Sequence, residues 1–407
     1  MDPDEPLIIK PPPGAQPDKR QTMRAKSISG NSPEQISARL DQLATEGFHP
    51  SLAMVFVSIK QDREAIRRIL DERDIDLAGA TSSTEFVDGH QSTGGIAILL
   101  LELPRETYSL LFEDIGDRSL RETGEKIARE AREKFSRPAL LLCSTSVTAA
   151  GGMLDGETLV RTIEKSIGSE VNMFGGMAGD DMSFVGTYVF TRHQSTGYGV
   201  VVVVLNEERI GLHGVALSGW SPVGVSRTMT RCRKNLLYEI DGKPALETYL
   251  RFLGEDFDKL SDPVNFFNGI GLYYPLQIER SGREPMMCNP MGYNKDENAL
   301  ILESDVEEGA RFRFSTPPDF DIVETVISKA GELRQDTGTD ADAVLIFSCA
   351  SRLSSLGPMA SQENDGLAEV WKAPMAGFYT YGEFGRGLNG KHEFHSTTCS
   401  WVALKEK

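Results

Sequence analysis

Phe174-Gly175-Gly176-Met177-Ala178-Gly179-Asp180-Asp181 is the stretch of this sequence that decides the fold. Three apolar runs follow it, at residues 184–190, 199–205 and 210–217, and valine fills every position from 200 to 204. A β-branched run without a break, bounded by polar turns, is typical of a strand that is buried on both faces. The glycines give the backbone freedom, and the two acids are costly to bury without a partner. The stretch therefore predicts either a structural corner or a ligand site at the end of a sheet.

Two other parts of the chain resemble this stretch and predict a repeated unit. In each, an apolar strand and a helix lead to a glycine, an acid follows six residues later, and another strand comes next. The three glycine and acid pairs are Gly79 with Glu85, Gly175 with Asp181, and Gly377 with Glu383. The sequence His-Gln-Ser-Thr-Gly also recurs, at 90–94 and 193–197. We therefore predict three copies of a strand–helix–strand unit.

The order of elements predicts an α/β (α+β) protein in which these repeated units build two sheet-based domains with a cleft between them. Residues 1–31 are rich in proline and charge, so we predict a disordered tail there. Ser32 is placed to cap a helix that has Pro33 in its first turn. Near 241–242 the sequence becomes rich in turns, and short strands follow. We predict one α/β domain over 32–241 and a second over 242–407.

Composition and charge narrow the possible functions. The chain has 407 residues and a net charge of −17, which argues against binding to nucleic acid or to an anionic membrane because both need a basic patch. No apolar run approaches the roughly 20 residues needed to cross a bilayer, and the acidic start is unlike a secretory signal. The five cysteines are scattered and form no C-x-x-C pair, so neither disulfides nor zinc is expected. We predict a reduced, cytoplasmic protein.

The sequence contains no common catalytic or nucleotide-binding motif. It lacks G-x-x-x-x-G-K-[ST], G-x-G-x-x-G after a strand, and G-x-S-x-G. Ser58, Ser144 and Ser348 end buried strands in the three copies, and a nucleophile among them would make the protein an unrecognised hydrolase. That alternative needs a lysine or histidine beside one of the serines. We predict a protein that is not an enzyme and keep hydrolysis as the weakest alternative.

Charged residues at strand ends are the first candidate ligand contacts. Asp180, Asp181 and Glu383 would accept hydrogen bonds from an amine, whereas the alternative is that each caps a turn. Arg352 follows a buried strand, where ligands of α/β proteins usually bind, and its guanidinium suits a carboxylate. The alternative for Arg352 is an internal ion pair with Glu363 or Glu383.

Aromatic and histidine side chains complete the candidate site. Trp220 and Tyr381 would contact the apolar part of a ligand, and His395 would be a further ligand contact. His392 and His395 share a His-x-x-His spacing, but the strand-like sequence around them would point the two side chains to opposite faces. We therefore expect no metal site there.

An ordered set of motifs resembles the FIST proteins, which pair a FIST N domain with a FIST C domain. The motifs are Gly175-Gly-Met-Ala-Gly-Asp180, Gly219-Trp-Ser-Pro-Val-Gly224, Glu239-Ile-Asp-Gly-Lys-Pro-Ala245, Cys349-Ala-Ser-Arg352 and Gly377-Phe-Tyr-Thr-Tyr-Gly-Glu383. The resemblance runs from about Leu52 to the end of the chain. It implies an intracellular sensory module of signal transduction that binds a small ligand such as an amino acid.

The same resemblance implies an alternative function and a signalling partner. Some members resemble haem-bearing sensors of nitric oxide, which would make His213 or His395 a candidate haem ligand, although we expect no cofactor. Relatives are joined to, or encoded beside, signalling proteins such as a kinase, a cyclase or a chemoreceptor. Since no output domain is recognisable in the sequence, we expect a separate output partner.

Overall fold

Three sheets of six strands each form the body of the protein in the computed structural model. The structure describes residues 23–256, 259–260, 262, 266–267, 269–319, 321–338 and 340–407. Each sheet is built mainly from one repeated unit. In every unit the second and third strands are parallel, and the last strand runs antiparallel between the first and second strands. The predicted α/β fold class is confirmed.

The first unit contributes four strands and two helices to its sheet. They are β1 (Arg24–Gly30), α1 (Pro33–Thr45), β2 (Leu52–Ser58), α2 (Arg63–Asp71), β3 (Asp76–Ser82) and β6 (Ile96–Glu102). The helix α1 begins as predicted, because the Ser32 side chain accepts a hydrogen bond from the Gln35 N–H and Pro33 occupies the first turn. Its apolar side, with Ile36 and Leu40, packs on the outer face of the sheet.

The second and third units repeat this order. The second has β7 (Tyr108–Asp114), α3 (Leu120–Lys134), β8 (Pro138–Ser144), α4 (Gly156–Ile167), β9 (Met173–Met177) and β12 (Gly199–Asn206). The third has β13 (Ile210–Leu217), α6 (Ile322–Thr337), β22 (Ala343–Cys349), α7 (Ala350–Leu356), α8 (Ala360–Trp371), β23 (Met375–Thr380) and β26 (Cys399–Glu406). The predicted threefold repeat is confirmed in the order and direction of the strands.

Each unit lends a hairpin to the sheet of another unit. The hairpins are β4 (Glu85–Val87) with β5 (His90–Ser92), β10 (Val189–Phe190) with β11 (Ser195–Thr196), and β24 (Glu383–Arg386) with β25 (His392–His395). The strand β4 pairs with β23 of the third unit, β10 with β3 of the first, and β24 with β9 of the second. The three exchanges close a ring, so that no sheet is complete without a second unit.

The inner faces of the three sheets meet in one apolar core. Phe56 of the first unit stacks on Phe378 of the third at 4.6 Å between ring centres, and Phe347 packs edge-on against both rings. The second unit contributes valine and leucine side chains of β8 and β12 to this core. Burial of such continuous apolar runs on both faces of the sheets is the main stabilising contribution to the body.

An antiparallel layer is inserted between β13 and α6 of the third unit. It contains β14 (Ser221–Arg233), β15 (Leu236–Ile240), β16 (Lys243–Pro244), α5 (Ala245–Leu253), β17 (Leu276–Ile278), β18 (Met286–Cys288), β19 (Pro290–Asn294), β20 (Ala299–Leu302) and β21 (Arg311–Thr316). Arg280 joins this layer to the body through Glu157, at 3.0 Å, and the fully buried Glu393, at 2.6 Å. The layer and the body form one apolar cluster on the outer face of the second sheet.

The details of the repeat differ from the sequence prediction. Glu85 and Glu383 begin equivalent hairpin strands, but the equivalent position in the second unit is Val189, because a longer loop precedes β10. Asp181 lies in that loop. The predicted serine equivalence also shifts by one residue, since the N–H groups of Ser58, Thr145 and Cys349 make the matching bond to the start of the last strand. A shift of one position changes the face of the sheet on which a side chain lies.

Three predicted boundaries have different outcomes when they are compared with the structure. The disordered tail over 1–31 is wrong for residues 24–30, which form β1 and pair with β6 along its whole length; residues 1–22 lie outside the described part. The apolar run at 184–190 is a strand only at its last two residues. The division at 241–242 stays a prediction, and these residues form the turn between β15 and β16 within one sheet. No helix in the described part of the chain is long and apolar enough to cross a membrane.

Candidate functional site

A cavity lies between the antiparallel layer and the body, and we call it the main cavity. It has a volume of about 560 Å³, which includes space open to solvent. Its walls are mostly apolar: Val147, Met153, Leu154, Met177, Met182, Phe184, Leu272, Met291, Ala350 and Phe394. The other lining residues are Ser146, Asn289, Glu303, Cys349, Ser351, Thr380, Tyr381 and Ser396. A mostly apolar cavity with a few polar groups is the usual form of a small-molecule site.

Asn289, Glu303 and Ser396 form the polar end of the main cavity. The Asn289 amide donates to Glu303 Oε2 at 2.9 Å and to Ser396 Oγ at 2.8 Å. The carboxylate fixes which way the amide faces, because only the amide nitrogen can donate to it. Asn289 Oδ1 and Glu303 Oε1 are closed off from solvent and have no hydrogen-bond partner. Burial raises the pKa of Glu303 to about 7, against the hydrogen bond from Asn289, which lowers it.

Asp180 anchors the loop that covers one side of the main cavity. Its carboxylate accepts hydrogen bonds from the N–H groups of Phe184 at 3.0 Å, Val185 at 2.7 Å and Gly186 at 3.0 Å. The Tyr381 hydroxyl donates a fourth bond at 2.6 Å, and its ring stacks on Phe184. These four donors occupy the carboxylate, so Asp180 holds the loop in place and does not face the cavity.

Asp181 lies in the same loop. Ser58 donates to its Oδ2 at 2.7 Å, and the Lys60 ammonium lies 3.2 Å from the same atom. Its backbone has a φ of 55°, and Met182 and Phe184 also have positive φ, a conformation that is rare for residues with large side chains. Because the Lys60 ammonium and the Ser58 hydroxyl both contact Asp181 Oδ2, the lysine pairs with the aspartate rather than with the Ser58 hydroxyl.

Arg352 is fully buried and is held by groups of the protein. Its guanidinium forms an ion pair with Glu363 and donates to the Ser218 carbonyl at 2.5 Å. The ion pair was one of the two alternatives that the sequence left open. Arg352 does not line the main cavity, and the structure gives no support to the predicted contact with a ligand carboxylate.

Glu383 is buried at the start of its hairpin. Its carboxylate accepts from the Thr398 N–H at 3.0 Å and the Thr398 hydroxyl at 2.7 Å, and its Oε1 lies 2.5 Å from Thr380 Oγ1. Burial raises the pKa of Glu383 to about 8. A protonated Glu383 donates to Thr380 Oγ1, which leaves the threonine hydroxyl free to donate to the Ser348 carbonyl at 3.1 Å. Glu383 therefore closes the hairpin.

Glu383→Gln is expected to change how the stability of the protein depends on pH. The folded pKa of Glu383 is raised above the unfolded value of about 4.3. Its contribution is therefore fully present below pH 4.3 and is lost as pH rises toward 8, with a slope of up to about 1.4 kcal/mol per pH unit. Glutamine reproduces the hydrogen bonds of the protonated acid, so the variant gains stability relative to the wild type across this window.

Urea unfolding at a series of pH values measures the effect. The difference in the free energy of unfolding between Glu383→Gln and the wild type should grow from pH 5 to pH 8. The exposed Glu369 provides a matched control, and Glu369→Gln should differ from the wild type by the same small amount at every pH. A pH-independent difference for Glu383→Gln would contradict the protonated, buried acid.

Trp220 and His395 line a second cavity of about 540 Å³, which includes space open to solvent. The Trp220 indole N–H donates to the Tyr273 carbonyl at 2.9 Å, and His395 Nε2 lies 3.3 Å from the Gly385 carbonyl. Of the seven predicted ligand residues, the lining of the main cavity includes Tyr381 alone. The structure therefore separates the predicted residues into several places and does not gather them at one site.

The histidines proposed for haem do not suit it. The lining of the main cavity contains no histidine among the described residues, and His213 is half-buried on β13 away from both cavities. Burial lowers the pKa of His395 to about 3, and its Nε2 is directed at a carbonyl that an iron would have to replace. His392 and His395 lie on the strand β25, so the extended context that argued against a metal site is confirmed.

Sequence reasoning missed the polar end of the main cavity. Glu303 and Asn289 lie in the region of short strands that the sequence predicts after residues 241–242, and the prediction gives them no functional role. One signal was available, because both residues interrupt or end short apolar strands, as an acid and an amide rarely do inside a core. Ser396 follows His395 directly and gives no signal of its own.

Two family models match the chain, the FIST N domain over residues 51–243 and the FIST C domain over residues 245–386. An uncharacterized protein of Methanocaldococcus jannaschii is 26% identical over 199 residues, which are 45% of this chain and 36% of that protein. The match thus spans about a third of the relative's length. The crystal structure of cyanuric acid hydrolase from A. caulinodans is 8% identical and covers 95% of this chain and 99% of its own, with a TM-score of 0.37. A likeness at that score supports no argument.

Proposed function

The chain belongs to the FIST family, and from this premise we propose that it is a cytoplasmic sensory module that binds a small ligand in the main cavity. FIST domains are associated with sensory modules of signal transduction. The observation that carries the proposal is the pair of acceptor oxygens without partners, on Asn289 and Glu303, at one end of an apolar cavity. They suit a ligand that joins an apolar body to a hydrogen-bond donor, as the amine end of an amino-acid-like ligand does.

The position of the cavity supports a role in signalling. Leu272, Asn289 and Glu303 belong to the antiparallel layer, whereas Tyr381 and Cys349 belong to the body. A ligand that touches both parts binds more tightly when the layer is docked, and it shifts the equilibrium toward that state by its difference in affinity. A separate output partner would then recognise the docked state.

The apolar wall is suited to adjust to a ligand. Four methionines line it, at 153, 177, 182 and 291, and their unbranched thioether side chains change shape at little cost. Met182 and Phe184 also lie on the loop with left-handed backbone that Asp180 anchors. Movement of this loop would open the cavity while the sheets stay fixed.

The hydrogen bonding and protonation of the serine and cysteine side chains at the strand ends favour binding over hydrolysis. The Ser58 hydroxyl donates to Asp181, and the hydroxyls of Ser144 and Ser348 are buried without a hydrogen-bond partner. Burial raises the pKa of the Cys349 thiol, which keeps it protonated and poorly nucleophilic. Ser144 and Ser348 have no base among their described contacts, and the one base beside Ser58 is the Asp181 carboxylate, which is ion-paired with Lys60.

A thermal-shift screen tests the proposal. The purified protein is heated with branched-chain and aromatic amines, amino acids, their amides and alcohols, and haemin. A ligand of the folded state stabilises it by mass action, by about 2.7 kcal/mol at 100 times Kd, so the melting temperature should rise with the concentration of one chemical class. Met291→Trp, which adds bulk to the wall of the main cavity, should abolish that rise.

Leu388→Trp is the matched control, because it adds the same indole at a surface position that is 63% exposed. This variant should keep the rise of the wild type. A rise that survives in Met291→Trp would place the ligand elsewhere, and a rise with haemin alone would favour a haem protein over the proposed module. No rise with any compound would overturn the proposal.

A further inference from the structure

We propose that the ligand of the main cavity is an apolar primary amine that carries no carboxylate. This inference rests on the proposed function and names the class of ligand. Its basis is an imbalance among the lining side chains: their hydroxyl and amide donors are all used within the protein, whereas two acceptor oxygens are not. A buried acceptor without a partner is costly, and a ligand that donates to it recovers that cost.

Each hydroxyl of the lining donates to a protein group. Tyr381 donates to Asp180 at 2.6 Å, Ser146 to the Ala178 carbonyl at 2.6 Å, Ser351 to Cys349 Sγ at 3.0 Å, and Ser396 to Glu303 Oε2 at 3.3 Å. Thr380 has the Ser348 carbonyl as its acceptor at 3.1 Å. The Asn289 amide donates to Glu303 and Ser396. A ligand carboxylate therefore finds no hydroxyl or amide side chain in the lining that is free to donate to it.

The two open acceptors belong to two lining residues that are hydrogen-bonded to each other. Asn289 is 2% exposed, and its Oδ1 has no partner. Glu303 Oε1 also has none, and the other oxygen of that carboxylate already accepts two bonds, from Asn289 and Ser396. An ammonium group has three donors and one positive charge, so it can satisfy both oxygens and pair with the carboxylate.

A carboxylate on the ligand would be buried without a counter-charge. The lining of the main cavity contains no lysine, arginine or histidine among the described residues. Arg352, the cation predicted for this role, is committed to Glu363 and to the Ser218 carbonyl. Since an unpaired buried charge is strongly unfavourable, the cavity discriminates against free amino acids and selects the amine alone.

Four compounds with one common apolar body test the inference: 3-methylbutylamine, leucine, 3-methylbutanoate and 3-methylbutanol. Isothermal titration of the wild-type protein compares their affinities. The amine should bind at least about 100-fold more tightly than leucine, because leucine adds only an unpaired carboxylate, and the acid should not bind. The alcohol should bind more weakly than the amine, since it makes no charge-assisted hydrogen bond.

A pair of variants locates the contact. Glu303→Gln removes the charge and should weaken binding of the amine by about tenfold or more, while binding of the alcohol stays within a few-fold. The exposed Glu307 is the matched control, and Glu307→Gln should leave both affinities unchanged. The ligand series needs only the wild type, so the inference stays testable even if Glu303→Gln does not fold.

The outcomes separate the two proposals. Leucine or the acid binding as tightly as the amine would overturn the amine inference and leave the sensory module intact. The alcohol alone binding would do the same. No binding by any of the four compounds, together with no rise in the thermal-shift screen, would overturn the proposed function itself.

Discussion

Replacing Arg352 with methionine is expected to lower the free energy of unfolding by about 3–5 kcal/mol. Arg352 and Glu363 are 0% and 2% exposed, so the substitution leaves a carboxylate in the apolar core without its counter-charge. The Ser218 carbonyl also loses its donor at 2.5 Å. Urea unfolding followed by tryptophan fluorescence measures the loss, since Trp371 and Trp401 are buried in an apolar cluster of the third unit.

A surface pair and a double substitution provide the comparison. Lys329 and Glu332 form an ion pair at 2.8 Å with both side chains substantially exposed, so Lys329→Met should cost less than about 1 kcal/mol. The double variant Arg352→Met/Glu363→Gln should recover part of the loss, because it removes both charges. A loss for Arg352→Met no larger than that for Lys329→Met would show that the buried pair is not needed for stability.

Gly175→Ala is expected to destabilise the protein by more than about 3 kcal/mol or to prevent folding. A Cβ atom on Gly175 would lie 1.8 Å from the Leu142 carbonyl oxygen, on the neighbouring parallel strand, and the glycine has a φ of 155°. A backbone oxygen in a sheet cannot move away without breaking the pairing of β8 and β9. The yield of folded protein and the midpoint of urea unfolding measure the effect.

Gly331→Ala is the matched control for the same chemical change. Gly331 lies inside the helix α6, and nothing stands within 4 Å of the position of its added Cβ. Alanine favours a helix interior over glycine by about 0.5–1 kcal/mol, so this variant should be more stable than the wild type. If Gly175→Ala were as stable as Gly331→Ala, the close approach of β8 and β9 would be contradicted.

The apolar runs of the sequence predict the body well because burial on both faces leaves a continuous signal. The valines at 200–204 lie in β12, and the capping signal at Ser32 begins α1. The sequence did not predict the strand β1, because most of its side chains are not buried. Only Ile28 of its seven residues is buried, and β1 is held mainly by backbone hydrogen bonds to β6, which leave no trace in the pattern of side chains.

The candidate site was less accessible to sequence reasoning, because its chemistry depends on which groups are already paired. Asp180 and Arg352 are charged residues at strand ends, which suggested ligand contacts. Three backbone N–H groups and the Tyr381 hydroxyl already donate to Asp180. Arg352 is already paired with Glu363. Glu303 and Ser396 are far apart in sequence and meet only through the docking of the antiparallel layer. Periodicity and motif spacing carry no information about such partners.

The exchange of hairpins also decides when the chain can complete its fold. The second sheet is not finished until residues 383–395 have emerged from the ribosome, because β9 waits for β24 along its edge. The third sheet, in turn, contains both β4 and β22, which lie more than 250 residues apart in the sequence. Until then nascent strands carry open edges, which are sites of association between chains. Folding of the body is therefore a late and collective event that joins strands far apart in the sequence.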